Sequence, residues 1–167
     1  METEVKIEVA DFNEVRERLR ALGAIYQNTV DERNVYFDRG DDLRSRGQSC
    51  RLRQDERTRL TWKGRTNFQN GIVQRPEVEI TVSDFAATSE ILERLGYQIV
   101  DRLAKRRETW RLPHVEVTLD ALAFGNFVEI EGETEAAVRI ARDLGLDPQN
   151  GIAESYRILQ RKRSSSA

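Results

Sequence analysis
The sequence predicts an α+β domain: antiparallel strands closed into a sheet that gathers its charges on the inside, with helices covering the apolar face. Three observations carry this. Strand after strand alternates ionic with aliphatic residues at a period of two, three stretches repeat apolar residues at helical spacing up to a glycine, and acidic and basic residues are sorted by strand instead of mixed. The 167 residues suffice for one domain with a core and are short for two. A single domain over residues 1–160 is expected, followed by a flexible tail at 161–167.

Composition narrows the function. The 27 Lys and Arg nearly cancel the 29 Asp and Glu, so no net field points to a nucleic-acid or membrane surface. Ion binding must therefore come from local arrangement. No uncharged run approaches a membrane span, and a strand follows Met1 at once with no basic and apolar leader, so a cytoplasmic location is expected. Cys50, the single cysteine, reads as a small filler residue, and the lone His114 reads as a turn residue and not a zinc ligand.

Taken in order, Glu2 to Val9 is a strand with Glu2, Glu4, Lys6 and Glu8 on one parity and Val5, Ile7 and Val9 on the other. Asp11 and Glu14 suggest a capping box for a helix over about 11–22, with Phe12, Val15, Leu19 and Leu22 as its stripe. Residues 24–38 favour an extended run. Ser49 to Gln54 and Arg59 to Lys63 form a hairpin, in which Arg51 and Arg53 alternate with Leu52, and Thr61 and Lys63 with Leu60 and Trp62. Residues 64–71 read as a polar, mobile loop. Arg75, Glu77 and Glu79 then share one parity, with Pro76 marking an edge or bulge. Asp84 caps a helix whose buried stripe is Ile91, Leu92 and Leu95, stopped by Gly96. Residues 97–112 make a long strand with Lys105 and Arg107 on one parity. Two more strands follow, with Glu116, Thr118 and Asp120, then Glu129 and Glu131, alternating with Val, Leu and Ile. A helix over 134–144 and a short one within 152–160 complete the chain.

A single sheet with its ionic face in water would satisfy this alternation. The sorting of sign favours charges turned inward, since Arg51 and Arg53, two apart on one strand, gain little from each other on an exposed face. Such a pair suits a shared polyanion. A cation beside a phosphate oxygen contributes about 4 kcal/mol at an effective dielectric near 20, before desolvation is subtracted. Clustered carboxylates are hard oxygen ligands for the magnesium that accompanies phosphates.

These residues resemble the CYTH domain family, the triphosphate tunnel metalloenzymes. The resemblance spans nearly the whole chain. It includes the opening ExExK (Glu2, Glu4, Lys6), Tyr36-Phe37-Asp38, Arg51-Leu52-Arg53, Leu60-Thr61-Trp62-Lys63-Gly64, Arg75-Pro76-Glu77-Val78-Glu79, Lys105-Arg106-Arg107-Glu108, Leu119-Asp120, Gly125 to Glu131 and Ser155-Tyr156. The Leu-Thr-Trp-Lys-Gly and Gly-Asn-Phe-Val-Glu-Ile-Glu stretches look most like the bacterial class IV adenylate cyclase subgroup, although Arg65 stands where those members commonly carry proline.

The resemblance implies a closed eight-stranded antiparallel β-barrel around a triphosphate tunnel. It implies Mg²⁺ or Mn²⁺ held by Glu2, Glu4, Asp120, Glu129 and Glu131, and phosphates gripped by Lys6, Arg51, Arg53, Lys63, Lys105 and Arg107. Lys63 and Asp120 are the catalytic candidates; Arg75, Glu77 and Glu79 are further tunnel residues without a fixed role. The partner is a nucleoside triphosphate or an inorganic or organic triphosphate, and a homodimer is left open. The expected reaction is conversion of ATP to cyclic AMP and pyrophosphate. Hydrolysis of inorganic triphosphate, thiamine triphosphate or a nucleoside triphosphate is the alternative, and a non-catalytic polyphosphate-binding module the third. Glu4→Gln and Arg53→Ala are expected to keep the fold and remove most activity.

Overall fold
A computed structural model describes residues 2–165. Among them, ten strands form one antiparallel sheet: β1 (Glu2–Val9), β2 (Ile25–Asp38), β3 (Ser49–Gln54), β4 (Thr58–Lys63), β5 (Asn67–Gln69), β6 (Ile72–Arg75), β7 (Glu77–Val82), β8 (Gln98–Leu112), β9 (Val115–Leu122) and β10 (Gly125–Gly132). The helices are α1 (Asn13–Ala21), α2 (Asp42–Ser45), α3 (Phe85–Arg94), α4 (Thr134–Asp143) and α5 (Tyr156–Ser164). Hydrogen-bonded neighbours run in the order β5-β6-β1-β10-β9-β8-β2-β3-β4-β7.

The closed eight-stranded ladder is therefore corrected to ten strands with two free ends, and Pro76 is the physical reason. Proline has no N–H to donate, so a ladder cannot run through it. On one side of Pro76, β6 pairs with β1 (Glu2 opposite Arg75); on the other, β7 pairs with β4 (Lys63 opposite Glu77). The run 72–82 thus changes partner at the proline, and the chain itself spans the seam where the ladder stops. Gly64 N–H donates to the Pro76 carbonyl at 2.8 Å and fastens the break to the neighbouring strand.

Each strand sends one parity outward. Val5 and Ile7, Val117 and Leu119, and Val128 and Ile130 pack with Val15 and Leu19 of α1 and Ala137, Ile140 and Ala141 of α4. Val35, Phe37 and Leu52 form a second outer cluster, against which Phe85 and Leu92 of α3 pack. A third cluster lies on the inner side, where Tyr36, Leu103 and Phe127 meet Tyr156 and Leu159 of α5. This last helix packs against the inner parity of the sheet, so it stoppers one end of the space the strands surround.

Four local expectations change. The helix expected from Asp11 begins at Asn13 with Phe12 as its cap, because the Asp11 carboxylate accepts only the Asn13 N–H and Glu14 pairs with Arg18, so no capping box forms. Ile91 and Leu95 of α3 are exposed, at 60% and 62%, since the helix touches the sheet mainly through Phe85 and Leu92. The expected tail is helical through Ser164, where Arg161 binds Asp101 and Arg163 binds Glu8; residues 166 and 167 lie outside the described residues. The stretch 64–71, read as mobile, contains β5 and turns at Asn70-Gly71 into β6.

That turn is docked on the segment around Pro148. Gly71 has φ +78°, and a Cβ placed there would fall 1.6 Å from the Pro148 carbonyl oxygen. Only glycine meets both the backbone and the steric demand. Gly71→Ala is expected to cost more than about 1 kcal/mol and to lower Tm by several degrees. An unchanged melting curve would mean that the turn is not seated on Pro148.

Candidate active site
The inner parity of the sheet surrounds a cavity of about 530 Å³. Strand alternation places its lining: Glu2, Glu4 and Lys6 from β1, Arg51 and Arg53 from β3, Lys63 from β4, Arg75, Glu77 and Glu79 from the two sides of the Pro76 seam, Lys105 and Arg107 from β8, and Glu129 and Glu131 from β10. The structure thus brings together every sequence-predicted site residue except Asp120. The three without a fixed role, Arg75, Glu77 and Glu79, stand among the rest.

The charges neutralise one another in pairs. Lys63 Nζ lies 2.6 Å from Glu2 and 2.8 Å from Glu77, and Arg75 Nε donates to the second Glu2 oxygen at 2.7 Å. Lys6 lies 3.0 Å from Glu4 and 3.2 Å from Glu129. Burial opposes the charge on Glu2, but Lys63 and Arg75 outweigh it and hold the carboxyl well below the usual carboxylate range. Burial likewise opposes the charge on Lys6, and Glu4 with Glu129 more than restores it. Arg53 differs: burial and the neighbouring Arg51 lower its affinity for its proton, and Glu32 offsets this only in part.

Asp120 is fully buried behind the cavity wall. Its carboxylate accepts from Arg107 Nε at 2.7 Å and Nη2 at 2.6 Å, from Lys105 Nζ at 2.8 Å and from the Tyr156 hydroxyl at 2.9 Å. Oδ2 takes three of these donors and Oδ1 one, so Asp120 holds Lys105, Arg107 and Tyr156 together and, unlike the four glutamates implied as metal ligands with it, does not line the cavity.

The donor set still suits a hard cation. Glu2, Glu4, Glu129 and Glu131 are oxygen donors on one cavity wall, the chemistry that Mg²⁺ and Mn²⁺ require. Among the described residues the Glu131 side chain has neither an ion pair nor a hydrogen bond; although the residue is exposed on one side, partial desolvation together with the Glu2, Glu4 and Glu129 charges pushes its carboxyl up to about 7. A cation would relieve that crowding. As the side chains stand, no group of three or more carboxylates of the described residues is gathered to hold a metal ion, and Glu2, Glu4 and Glu129 are each engaged by a lysine or arginine.

Two residues were missed or given no role in the sequence. Glu32 of β2 reaches the cavity among Arg53, Lys105 and Arg107. The parity it shares with Tyr36 was the available signal, obscured because Asp31 and Arg33 beside it are charged as well. Tyr156 donates to Asp120 while its ring lies under Lys6 and Lys105, at 4.8 and 5.0 Å from the ring centre.

Comparison with known proteins agrees with this arrangement. A Methanocaldococcus jannaschii protein named "Putative adenylate cyclase" is 27% identical over 93% of this chain and 96% of its own. The structure of the Pyrococcus horikoshii protein PH1012 superposes with a TM-score of 0.82 at 25% identity, covering 95% of this chain and 99% of that one. A Hippeastrum protein, described as a putative adenylyl cyclase with a dominant triphosphatase activity, shares the fold with a TM-score of 0.74 at 19% identity, over 98% of this chain and 96% of its own. The family model of the CYTH domain matches residues 1–156, and with the ionic cavity in place this chain belongs to the CYTH domain family.

Proposed function
We propose that this chain is a metal-dependent enzyme that cleaves a triphosphate held in the cavity. The family acts on nucleoside or other triphosphates and depends on metal. The observation that carries the reading is the convergence of Lys6, Arg51, Arg53, Lys63, Lys105 and Arg107 on the same space as four carboxylates. When bound, Mg²⁺ or Mn²⁺ held by Glu2, Glu4, Glu129 and Glu131 supplies charge neutralisation and Lewis acidity at the phosphoryl oxygens.

The chain's own groups do the rest. The six cations align the phosphates and stabilise charge that grows as the bond breaks. Lys63, pinned between Glu2 and Glu77, serves as a cation rather than as the proton acceptor, and Asp120 keeps Lys105 and Arg107 aimed. Among the cavity carboxylates, Glu77, which is not one of the four metal donors, is suited to take a proton: burial and the neighbouring Glu2 raise its affinity, against the opposing pull of Lys63.

Hydrolysis is the activity this geometry supports best. Both aromatic rings that reach the cavity are already covered, Tyr36 by Arg157 and Tyr156 by Lys6 and Lys105, so the wall presented to a ligand is ionic. Formation of cyclic AMP is the second reading. It is favoured by Gln27, Asn28 and Thr109, uncharged side chains of the lining that can hydrogen-bond a base, and by the name of the Methanocaldococcus jannaschii relative. Incubation with ATP, inorganic triphosphate and thiamine triphosphate in turn, under Mg²⁺ and under Mn²⁺, separates them. Orthophosphate is expected; cyclic AMP with pyrophosphate would establish the cyclase, and binding without turnover would reduce the protein to a polyphosphate-binding module.

The pairing of the carboxylates carries a prediction of its own. A polyanion that draws Lys6, Lys63 and Arg75 toward itself frees Glu2, Glu4 and Glu129, so metal and phosphate should bind cooperatively. Calorimetric titration with Mn²⁺ is expected to show affinity about tenfold or more higher when a non-hydrolysable triphosphate analogue is present. Equal affinity in both conditions would contradict this coupling.

A further inference from the structure
Glu32 stands out because three of the cations assigned to phosphate converge on it. Its Oε1 accepts from Arg53 Nη1 at 3.3 Å and lies 3.7 Å from Arg107 Nε, while Oε2 lies 3.5 Å from Lys105 Nζ. These contacts are long for charge-assisted hydrogen bonds. Arg107 lies at 2.6 Å from Asp120 and 2.5 Å from Glu129, and Lys105 at 2.8 Å from Asp120. Glu32 Oε2, although buried, makes no hydrogen bond at all. The carboxylate therefore supplies a negative charge to Arg53, Lys105 and Arg107 through long contacts, with a hydrogen bond from Arg53 to one oxygen and none to the other.

We propose that Glu32 is a resident anion, occupying the place among Arg53, Lys105 and Arg107 that a further phosphoryl group would take, and that it thereby limits the length of phosphate chain the cavity accepts. Burial opposes its charge, yet Lys105, Arg107 and Arg53 hold the carboxyl at about 2, so the anion is permanent at neutral pH. Glu79, which lines the cavity and reaches Arg53 at 3.6 Å, is less suited to the part, since it is half-exposed and accepts a 2.7 Å bond from Thr61. Glu129 is occupied by Lys6 as well as Arg107. Glu32 alone among these faces only the cations that a ligand would use. The inference rests on the triphosphate reading of the cavity and adds to it a residue that selects chain length.

The test is metal-free calorimetric binding of inorganic pyrophosphate, triphosphate and tetraphosphate to the wild type, Glu32→Gln and Glu32→Asp. The wild type is expected to prefer triphosphate to tetraphosphate. Glu32→Gln, nearly equal in size but uncharged, should shift that ratio toward tetraphosphate by about tenfold or more, one charge at hydrogen-bond range being worth that much. Glu32→Asp keeps the charge and should keep the ratio. An unchanged ratio in Glu32→Gln overturns the inference, whereas a wild type that binds none of the three, with Mn²⁺ added as well as without it, overturns the triphosphate reading beneath it. If Glu32→Gln folds only when inorganic phosphate is present, an anion has taken the vacated place and the inference stands. If it folds in neither buffer, Glu32 is a structural ion-pair partner and the inference fails.

Discussion

Asp120→Ala will destabilise the protein by about 3–5 kcal/mol, the cost of leaving buried cations without their partner. Three side chains depend on this one carboxylate: Lys105, Arg107 and the Tyr156 hydroxyl. Lys105 is itself almost fully buried, and without Asp120 its one remaining ion pair among the described residues is with Glu32 at 3.5 Å. Loss of the Tyr156 bond also loosens the inner end of α5, whose Tyr156 and Leu159 close the third cluster. A fall in Tm of roughly 10 °C in differential scanning calorimetry is expected for a chain of this length. Asp120→Asn, which preserves the shape and part of the hydrogen bonding, should lie between the two. An Asp120→Ala variant that melts with the wild type would show that Lys105 and Arg107 are held by something other than this carboxylate.

Arg53→Ala will do the opposite. Its guanidinium is crowded by Arg51, Arg59 and Arg107, and burial adds to the cost of its charge, so its removal relieves repulsion. Against that stand the long pairings with Glu32, Asp55 and Glu79, at 3.3, 3.7 and 3.6 Å. Stability should stay within about 1 kcal/mol of the wild type. Turnover should drop by about 100-fold, as is typical when a group preorganised for developing charge is lost. Residues that are strained in the absence of ligand and useful in its presence have this signature. Activity retained with an intact fold would remove Arg53 from the site; a variant that unfolds would show it to be a structural partner of Glu32 and Asp55.

The contrast between these two residues marks what the sequence could and could not convey. Parity made Glu2, Glu4, Lys6, Arg51, Arg53, Lys63 and Glu129 legible as one inner face, because a strand must alternate and the opposite parity of these strands is mostly apolar, as at Val5, Ile7, Leu52, Leu60, Trp62, Val128 and Ile130. It could not separate Asp120 from them. Depth below a wall depends on which cations happen to cross in front, and Arg107 comes from a different strand. Glu32 was hidden for another reason: where Asp31, Glu32 and Arg33 are all charged, alternation carries no contrast. Helical spacing grouped Ile91 with Leu95 correctly on α3, but the period says only which residues share a face and not whether the sheet beneath extends far enough to cover them. Pro76 was recognised as a disturbance of its strand. That the strand changes neighbours there follows only from where β1 begins relative to β4.

The break at Pro76 also sets where the wall can breathe. Strand β7 is hydrogen-bonded on its β4 side and ends the sheet on the other, whereas β10 is flanked by β1 and β9. Deuterium should accordingly enter the amides of 77–82 well before those of 128–130. Glu77 and Glu79 ride on that looser strand, so the flank of the enclosure that yields first is an acidic one.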